Sequence, residues 1–221
     1  MKSKFWAWLT FVFAALQILL VLVSWIISSA TQQTYVHSLL SSEGIRWFMG
    51  RFSENLATPV LVWMLVIAIA YGVFRTSGLA EAVADLIHGK RPSYRQRFAL
   101  TVSTVLLVII LAVVFYLTCT SHAVLLSATG TLFPSSFSRA LIPIAAFTVT
   151  VISIVYGLLS THFLSWQQVF QGMTEGIRQT LPLWVVYVFA ALLIQSLLYV
   201  FTPLCVHSVR TIKAKALAHP Y

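Results

Sequence analysis

Five long apolar segments constrain this chain more than any other feature of its sequence. None contains Asp, Glu, Lys or Arg, and they cover about residues 5–29, 57–74, 98–117, 140–160 and 183–206. An α-helix needs about 20 apolar residues to cross the hydrocarbon core of a bilayer. We therefore predict an all-α, polytopic integral membrane protein, a bundle of about five transmembrane helices in a single membrane domain.

The composition excludes a soluble protein. Hydrophobic residues make up 59% of the 221 residues and charged residues 9%, whereas about a quarter of a typical soluble domain is charged. The net charge is +9, but the basic residues lie between the apolar segments and form no groove-binding domain. We interpret them as topology signals that also contact membrane lipids, and we expect no nucleic-acid partner.

The first apolar segment has two interpretations. Lys2 and Lys4 precede it and Ser28–Ala30 resembles a cleavage site, as in a signal peptide. The apolar stretch, however, far exceeds the ~7–15 residues of a signal-peptide core. We therefore expect an uncleaved transmembrane helix.

Three further segments have the periodicity of amphipathic helices, which lie in the headgroup plane or against neighbouring spans. They are about residues 42–52, 79–88 and 166–178. The first places these apolar residues on one face: Ile45, Phe48, Met49 and Phe52. Its anchors at the interface would be Arg46, Trp47 and Arg51. We expect Gly89 to follow the end of the second helix and Pro182 to end the third.

The orientation follows from the loop charges. The loop from Arg75 to Arg97 has the densest positive cluster, so it is expected in the cytoplasm together with the N-terminus. Five spans then place the C-terminal tail, with Arg210 and Lys213, on the opposite side, against the positive-inside rule. Either the tail tolerates this position, or one apolar segment is re-entrant or lies in the interface.

Polar residues inside the spans are the natural candidates for transport chemistry, because their burial in lipid is costly. Serine and threonine usually bond to their own helix or to a neighbour, whereas Gln17 and Gln195 are expected to bridge helices or to line a pathway. The candidate pathway or helix-bridging residues are Gln17, Asn55, Gln195 and Ser196. The spans offer no carboxylate, lysine or histidine as a proton carrier.

No motif for an enzyme, a cofactor or a metal is present. The histidines are scattered singly, and neither a catalytic triad nor a phosphate-binding glycine loop occurs. Cys119 and Cys205 form no metal or redox pattern, although a disulfide between them stays open if both face an oxidising compartment. We therefore expect no enzyme activity, no catalytic residue, no cofactor and no metal.

Glycine and proline positions make two smaller predictions. Tyr71-Gly72 and Tyr156-Gly157 end two spans in a similar way, which indicates close helix packing or is a coincidence. Ser138 is expected to cap a helix that begins at Arg139, with Pro143 in its first turn.

The stretch "LLSSEGIRWFMGRFSENLATPVLVWMLVIAIAYGVFRTSGL" resembles an early signature of the p-aminobenzoyl-glutamate transporter (AbgT) family. The matching positions, in order, are Ser42-Glu43-Gly44, Arg46, Asn55, Gly72 and Ser77-Gly78-Leu79. "VLVSWI" is similar to the family's first span, and "GTLFPSSFSRALIPI" with "VYGLLS" is similar to a later segment. "WQQVFQGMTEGIRQTLPLWVVYVFAALLIQ" resembles the amphipathic helix and span that follow.

The resemblance covers most of this chain but about half of a typical family member. The two re-entrant hairpins that hold substrate and sodium in the family have no counterpart here, so no binding residue is carried over. The resemblance implies a location in the bacterial cytoplasmic membrane and an oligomer or a partner membrane subunit.

Two functional hypotheses follow. The chain is a reduced transporter-related protein for a small carboxylate such as p-aminobenzoyl-glutamate, or for efflux of antifolate-type drugs. Alternatively, it is a non-transporting membrane scaffold or accessory subunit that retains the half of the family fold used for packing and dimerisation.

Overall fold

Helices account for most of the residues that the structure describes. The computed structural model describes residues 2–30, 36–89, 92–119 and 136–218, with the backbone alone for 2–3, 119, 136–139 and 203–218. Within these residues the protein is all-helical, which confirms the predicted fold class. The helices are α1 (Lys2–Ala30), α2 (Ser42–Gly50), α3 (Phe52–Leu56), α4 (Pro59–Thr76), α5 (Leu79–Ile87), α6 (Tyr94–Cys119), α7 (Ser136–Leu159) and α8 (Trp166–Ala218).

Among the residues that the structure describes, five helices are long and apolar enough to cross a membrane. The membrane-length segments are Lys4–Ala30, Pro59–Thr76, Tyr94–Thr118, Ala140–Leu159 and Trp166–Thr202. In the most apolar stretch of α1 and of α6, only 11% of the residues are buried inside the protein. These two helices therefore leave most of their apolar side chains to the surrounding lipid.

Local sequence determines where the short helices begin. Ser41 is the N-cap of α2, and its hydroxyl accepts a hydrogen bond from the Gly44 N–H at 3.0 Å. The amphipathic segment predicted at 42–52 is interrupted at Arg51, where the helix ends and α3 starts. The helix predicted at 79–88 is α5, and Gly89 follows its end with a φ of 71°.

The prediction that Pro182 ends a helix is wrong. α8 runs without interruption from Trp166 past this residue, so the amphipathic segment 166–178 and the last span are one helix. Proline lacks the N–H that would bond the carbonyl of residue 178. Membrane helices tolerate this loss because neighbouring groups satisfy the freed backbone. Two residues before the proline, the Thr180 hydroxyl donates to the carbonyl oxygens of Gly176 and Ile177 at 3.0 Å.

The start of α7 also differs from the prediction. The helix begins at Ser136 rather than after a cap at Ser138, and Pro143 lies inside it beyond the first turn. The side chains of Cys119 and Cys205, on which a disulfide would depend, lie outside those that the structure describes.

Contacts divide the chain into two compact units. Unit 1 comprises Met1–Leu61 with Leu181–Tyr221, and unit 2 comprises Val62–Thr180. The core of unit 1 joins Leu20 of α1 to Leu193 and Val200 of α8.

Unit 2 has two buried clusters. The first joins α5, α6 and α7 through Leu79, Ala99 and the fully buried Tyr156. In the second, Val73 of α4 meets Phe163 from the loop before α8. Both clusters bring the Ser77–Leu79 turn close to the end of α7.

Candidate functional site

Two of the predicted polar residues meet inside unit 1. The Gln17 Nε2 of α1 donates to the Ser196 Oγ of α8 at 2.9 Å, across 179 positions of sequence. Ser196 is fully buried. Gln17 therefore joins α1 to α8 by a hydrogen bond, which is one of the two roles expected for it from the sequence.

The same glutamine has an acceptor without a partner. Its Oε1 is buried and no described group donates to it. Gln17 also lines a small cavity of about 170 Å³, whose other walls are apolar: Val21, Leu39, Ile45, Phe48 and Met49. The apolar face that the sequence predicted for α2 thus covers this cavity, which offers one polar atom in an apolar surround.

The other two candidates lie elsewhere in unit 1. Gln195 is half-buried on α8, directly before Ser196. Asn55 is buried in α3, and its Nδ2 has no partner among the described residues. Among the four candidates, Gln17 and Ser196 are joined by a side-chain hydrogen bond.

Most hydroxyl groups in the spans bond to their own helix. Thr101 and Thr104 in α6 donate to the carbonyl oxygens of Arg97 and Leu100, at 2.9 and 2.8 Å. Thr148 and Thr150 in α7 donate in the same way, four residues back. The prediction for these threonines is confirmed, and in the exposed Thr101 and Thr104 the bonds leave the methyl groups at the surface.

Trp47 is part of an aromatic stack in unit 1. Its ring lies 4.2 Å from that of Tyr199 with 18° between the planes, and His37 lies 5.2 Å from the same tyrosine. Trp47 is half-buried against α8, so it holds the α2 helix to the protein. Arg51 pairs with Glu54 at 3.6 Å on the exposed side.

Unit 2 has a larger, more polar cleft of about 590 Å³ beside the loop between α7 and α8. Its polar lining consists of Thr76, His162, Gln168, Gln171, Thr174, Glu175 and Arg178. Arg178 and Glu175 form an ion pair at 3.5 Å, which neutralises part of the cleft. The His162 Nδ1 lies 3.0 Å from the Ser160 Oγ.

The Ser77-Gly78-Leu79 turn contacts this cleft through His162. Gly78 has a φ of 74°, and a Cβ at this position would lie 2.5 Å from the His162 Nε2. Only glycine therefore fits, for backbone and for steric reasons. This gives a structural reason for the glycine in the segment that resembles the transporter family.

Close helix packing in unit 2 depends on a motif that the sequence interpretation missed. A Cβ at Gly72 would lie 2.5 Å from the Gly176 Cα and would also meet the Gly172 carbonyl oxygen. The backbones of α4 and α8 are therefore in direct contact, which confirms the close packing predicted for Gly72. The available signal was the G-x-x-x-G spacing of Gly172 and Gly176, which favours close approach of membrane helices.

Comparison with known proteins supports the fold alone. No protein-family model matches the sequence, and no curated protein is similar to it. The structure is similar to that of the YdaH transporter of Alcanivorax borkumensis, an AbgT-family protein whose crystal structure has an unusual topology. The similarity has a TM-score of 0.69 at 17% identity, and it covers 96% of this chain and 75% of that chain. This chain is thus an integral membrane protein whose fold is distantly similar to that of this AbgT-family transporter.

Proposed function

We propose that the chain is a reduced AbgT-like transporter for a small carboxylate that carries an aromatic amine, such as p-aminobenzoyl-glutamate or an antifolate-type drug. The observation that carries the proposal is the transporter fold, which extends over 96% of this chain. Because nearly the whole chain adopts a transporter fold, we infer a function related to transport. The cavity of unit 1 supplies the substrate chemistry.

The cavity at Gln17 suits one aromatic ring. Its volume of about 170 Å³ is close to the ~150 Å³ of an engineered apolar cavity in another protein that binds benzene. Ile45, Phe48 and Met49 supply an apolar surround. The buried Gln17 Oε1 would accept a hydrogen bond from an aromatic amine.

An assembly is part of the proposal. The spans contain no acidic residue, as at residues 5–29, 57–74, 98–117 and 140–160. They therefore offer no carboxylate to hold a coupling cation. A carboxylate that holds such a cation would therefore come from outside the spans, in this chain, in a second copy or in a partner membrane subunit. We place the assembly in the bacterial cytoplasmic membrane, surrounded by membrane lipids, with the N-terminus of each chain in the cytoplasm as the loop charges favour.

Uptake into vesicles tests the proposal. Proteoliposomes that contain only this protein are given radiolabelled p-aminobenzoyl-glutamate with and without a sodium gradient. Flux above that of empty vesicles is expected for the wild type, and Gln17→Leu is expected to reduce it at least ~10-fold, since about 1.4 kcal/mol of lost polar binding gives that factor. Gln167→Leu is the matched control, because this exposed glutamine at the start of α8 does not line the cavity.

A second candidate function is that of a non-transporting scaffold or accessory subunit. The direct backbone contact of Gly72 with Gly176 favours it, because such contacts serve packing rather than passage. If the protein is a scaffold, vesicles that contain it alone would show no flux. Affinity purification from the native membrane would then recover a stoichiometric membrane partner. Sodium-dependent flux by the protein alone would exclude the scaffold.

A further inference from the structure

A groove on unit 2 lies between the end of α5 and the first turns of α6. Its volume is about 580 Å³, and Leu86, Leu100 and Val105 form its apolar walls. Thr101 and Thr104 also line it, but their hydroxyls bond to their own helix. They therefore present methyl groups, and this α5–α6 groove is apolar along most of its length.

One end of the α5–α6 groove is cationic. The exposed Arg97 lines it, and the Arg97 Nε donates to the Pro92 carbonyl oxygen at 3.1 Å. This bond uses one of the five guanidinium N–H donors and fixes the stem of the side chain. In sequence, residues 75–97 contain five basic residues and two acidic ones. The region around Arg97 therefore attracts anions.

The groove also has a defined depth relative to a bilayer. The membrane-length part of α6 begins at Tyr94, whose side chain is 86% exposed, as is typical of an interfacial tyrosine. Val105 lies eight residues after Arg97, which corresponds to about 12 Å along a helix. The cationic end thus lies at headgroup level, and the apolar walls continue into the hydrocarbon core.

The helix beside the groove presents a lipid-facing edge. Leu79 and Ala82 of α5 are buried against α6 and α7, whereas Leu86 and Ile87 are 59% and 77% exposed. An amphipathic helix of this kind lies in the interface with its apolar edge in the acyl region. The exposed edge of α5 therefore continues the apolar wall that α6 begins.

We propose that the α5–α6 groove is a binding site for one anionic phospholipid. The lipid phosphate accepts hydrogen bonds from the Arg97 guanidinium at the cationic end, and one acyl chain follows Leu100 and Val105 along α6. Charge complementarity selects an anionic lipid, because a zwitterionic headgroup adds a cation beside the arginine. Unlike a transported solute, this phospholipid stays bound on the lipid-facing surface of unit 2.

Native mass spectrometry of the full chain tests the site. The protein is purified in a mild detergent and titrated with phosphatidylglycerol or with phosphatidylcholine of the same acyl chains. One phosphatidylglycerol is expected to stay bound with at least ~5-fold preference over phosphatidylcholine, which is the effect of about one basic residue near an anionic surface. Equal retention of both lipids would overturn the proposal.

Two pairs of variants locate the site. Arg97→Gln is expected to reduce phosphatidylglycerol retention about fivefold, whereas Arg46→Gln, which removes an exposed arginine from α2, leaves it unchanged. Val105→Trp fills the groove and is expected to reduce retention, whereas Val185→Trp does not, because Val185 of α8 is similarly exposed but does not line the groove. Since these side chains are exposed, the variants should fold. Equal retention within either pair would refute the site.

Discussion

Trp47 of α2 stacks face to face on Tyr199 of α8, with the ring centroids 4.2 Å apart. The two residues belong to unit 1 and are far apart in sequence. Tyr199 also packs with the buried cluster of Leu20, Leu39 and Val200. The stack therefore fixes a short amphipathic helix to a long membrane helix.

Replacement of Trp47 tests the strength of this attachment. Trp47→Ala removes a stacked pair and part of a buried side chain, so we expect a loss of about 2–4 kcal/mol in the free energy of unfolding. Trp47→Phe, which keeps a ring, should recover about half. Thermal unfolding in detergent measures both. Trp8→Ala is the control, because Trp8 is 66% exposed, and a similar loss there would show that the stack contributes little.

The Gln17–Ser196 bond predicts an asymmetry between two variants. Ser196→Ala leaves both polar groups of Gln17 buried without partners, which costs about 1–3 kcal/mol. Gln17→Leu loses the same bond, worth about 0.6 kcal/mol in a membrane protein, but it also removes the unpartnered Oε1. We therefore expect Gln17→Leu to unfold at a higher temperature than Ser196→Ala. The reverse order would mean that Gln17 stabilises the fold through contacts beyond this bond.

The crossing of α4 and α8 in unit 2 predicts that a single methyl group is harmful there. A Cβ at Gly176 would lie 2.7 Å from the Gly72 Cα and would meet the Ala68 carbonyl oxygen. Gly176→Ala is thus expected to cost about 1–3 kcal/mol through overpacking, measured by thermal unfolding in detergent. At Gly50 nothing lies within 4 Å, so Gly50→Ala should be neutral or stabilising, by up to about 1 kcal/mol. Equal behaviour at the two glycines would contradict the described crossing.

The contact between Gly78 and His162 predicts that a second substitution partly restores the stability lost by a first. Gly78→Ala imposes a left-handed backbone on alanine, at about 1–2 kcal/mol, and also places the Cβ against the imidazole ring. His162→Ala removes the ring, so the double variant should regain the steric part of the loss and keep the backbone part. A double-mutant cycle of unfolding free energies measures this coupling. Strictly additive losses would show that the ring moves aside freely.

The sequence was sufficient for the membrane helices, because hydropathy is a local sum over each segment. The spans at 57–74 and 140–160 correspond to α4 and to the membrane-length part of α7. Local sequence propensity did not predict correctly where a helix ends at a proline. Pro182 has every feature of a helix end in water, yet α8 continues through it, because a membrane helix has no water to satisfy a broken end.

The tertiary structure alone decided which residues meet. Gln17 was a candidate from its cost of burial, but its partner lies 179 positions away, and no periodicity within a helix encodes that distance. The same holds for Trp47. Its position on an amphipathic helix indicated an anchor at the membrane interface, but not that its ring packs on α8. Hydropathy determines that a segment enters the membrane, whereas packing between segments depends on crossing geometry, which single helices do not specify.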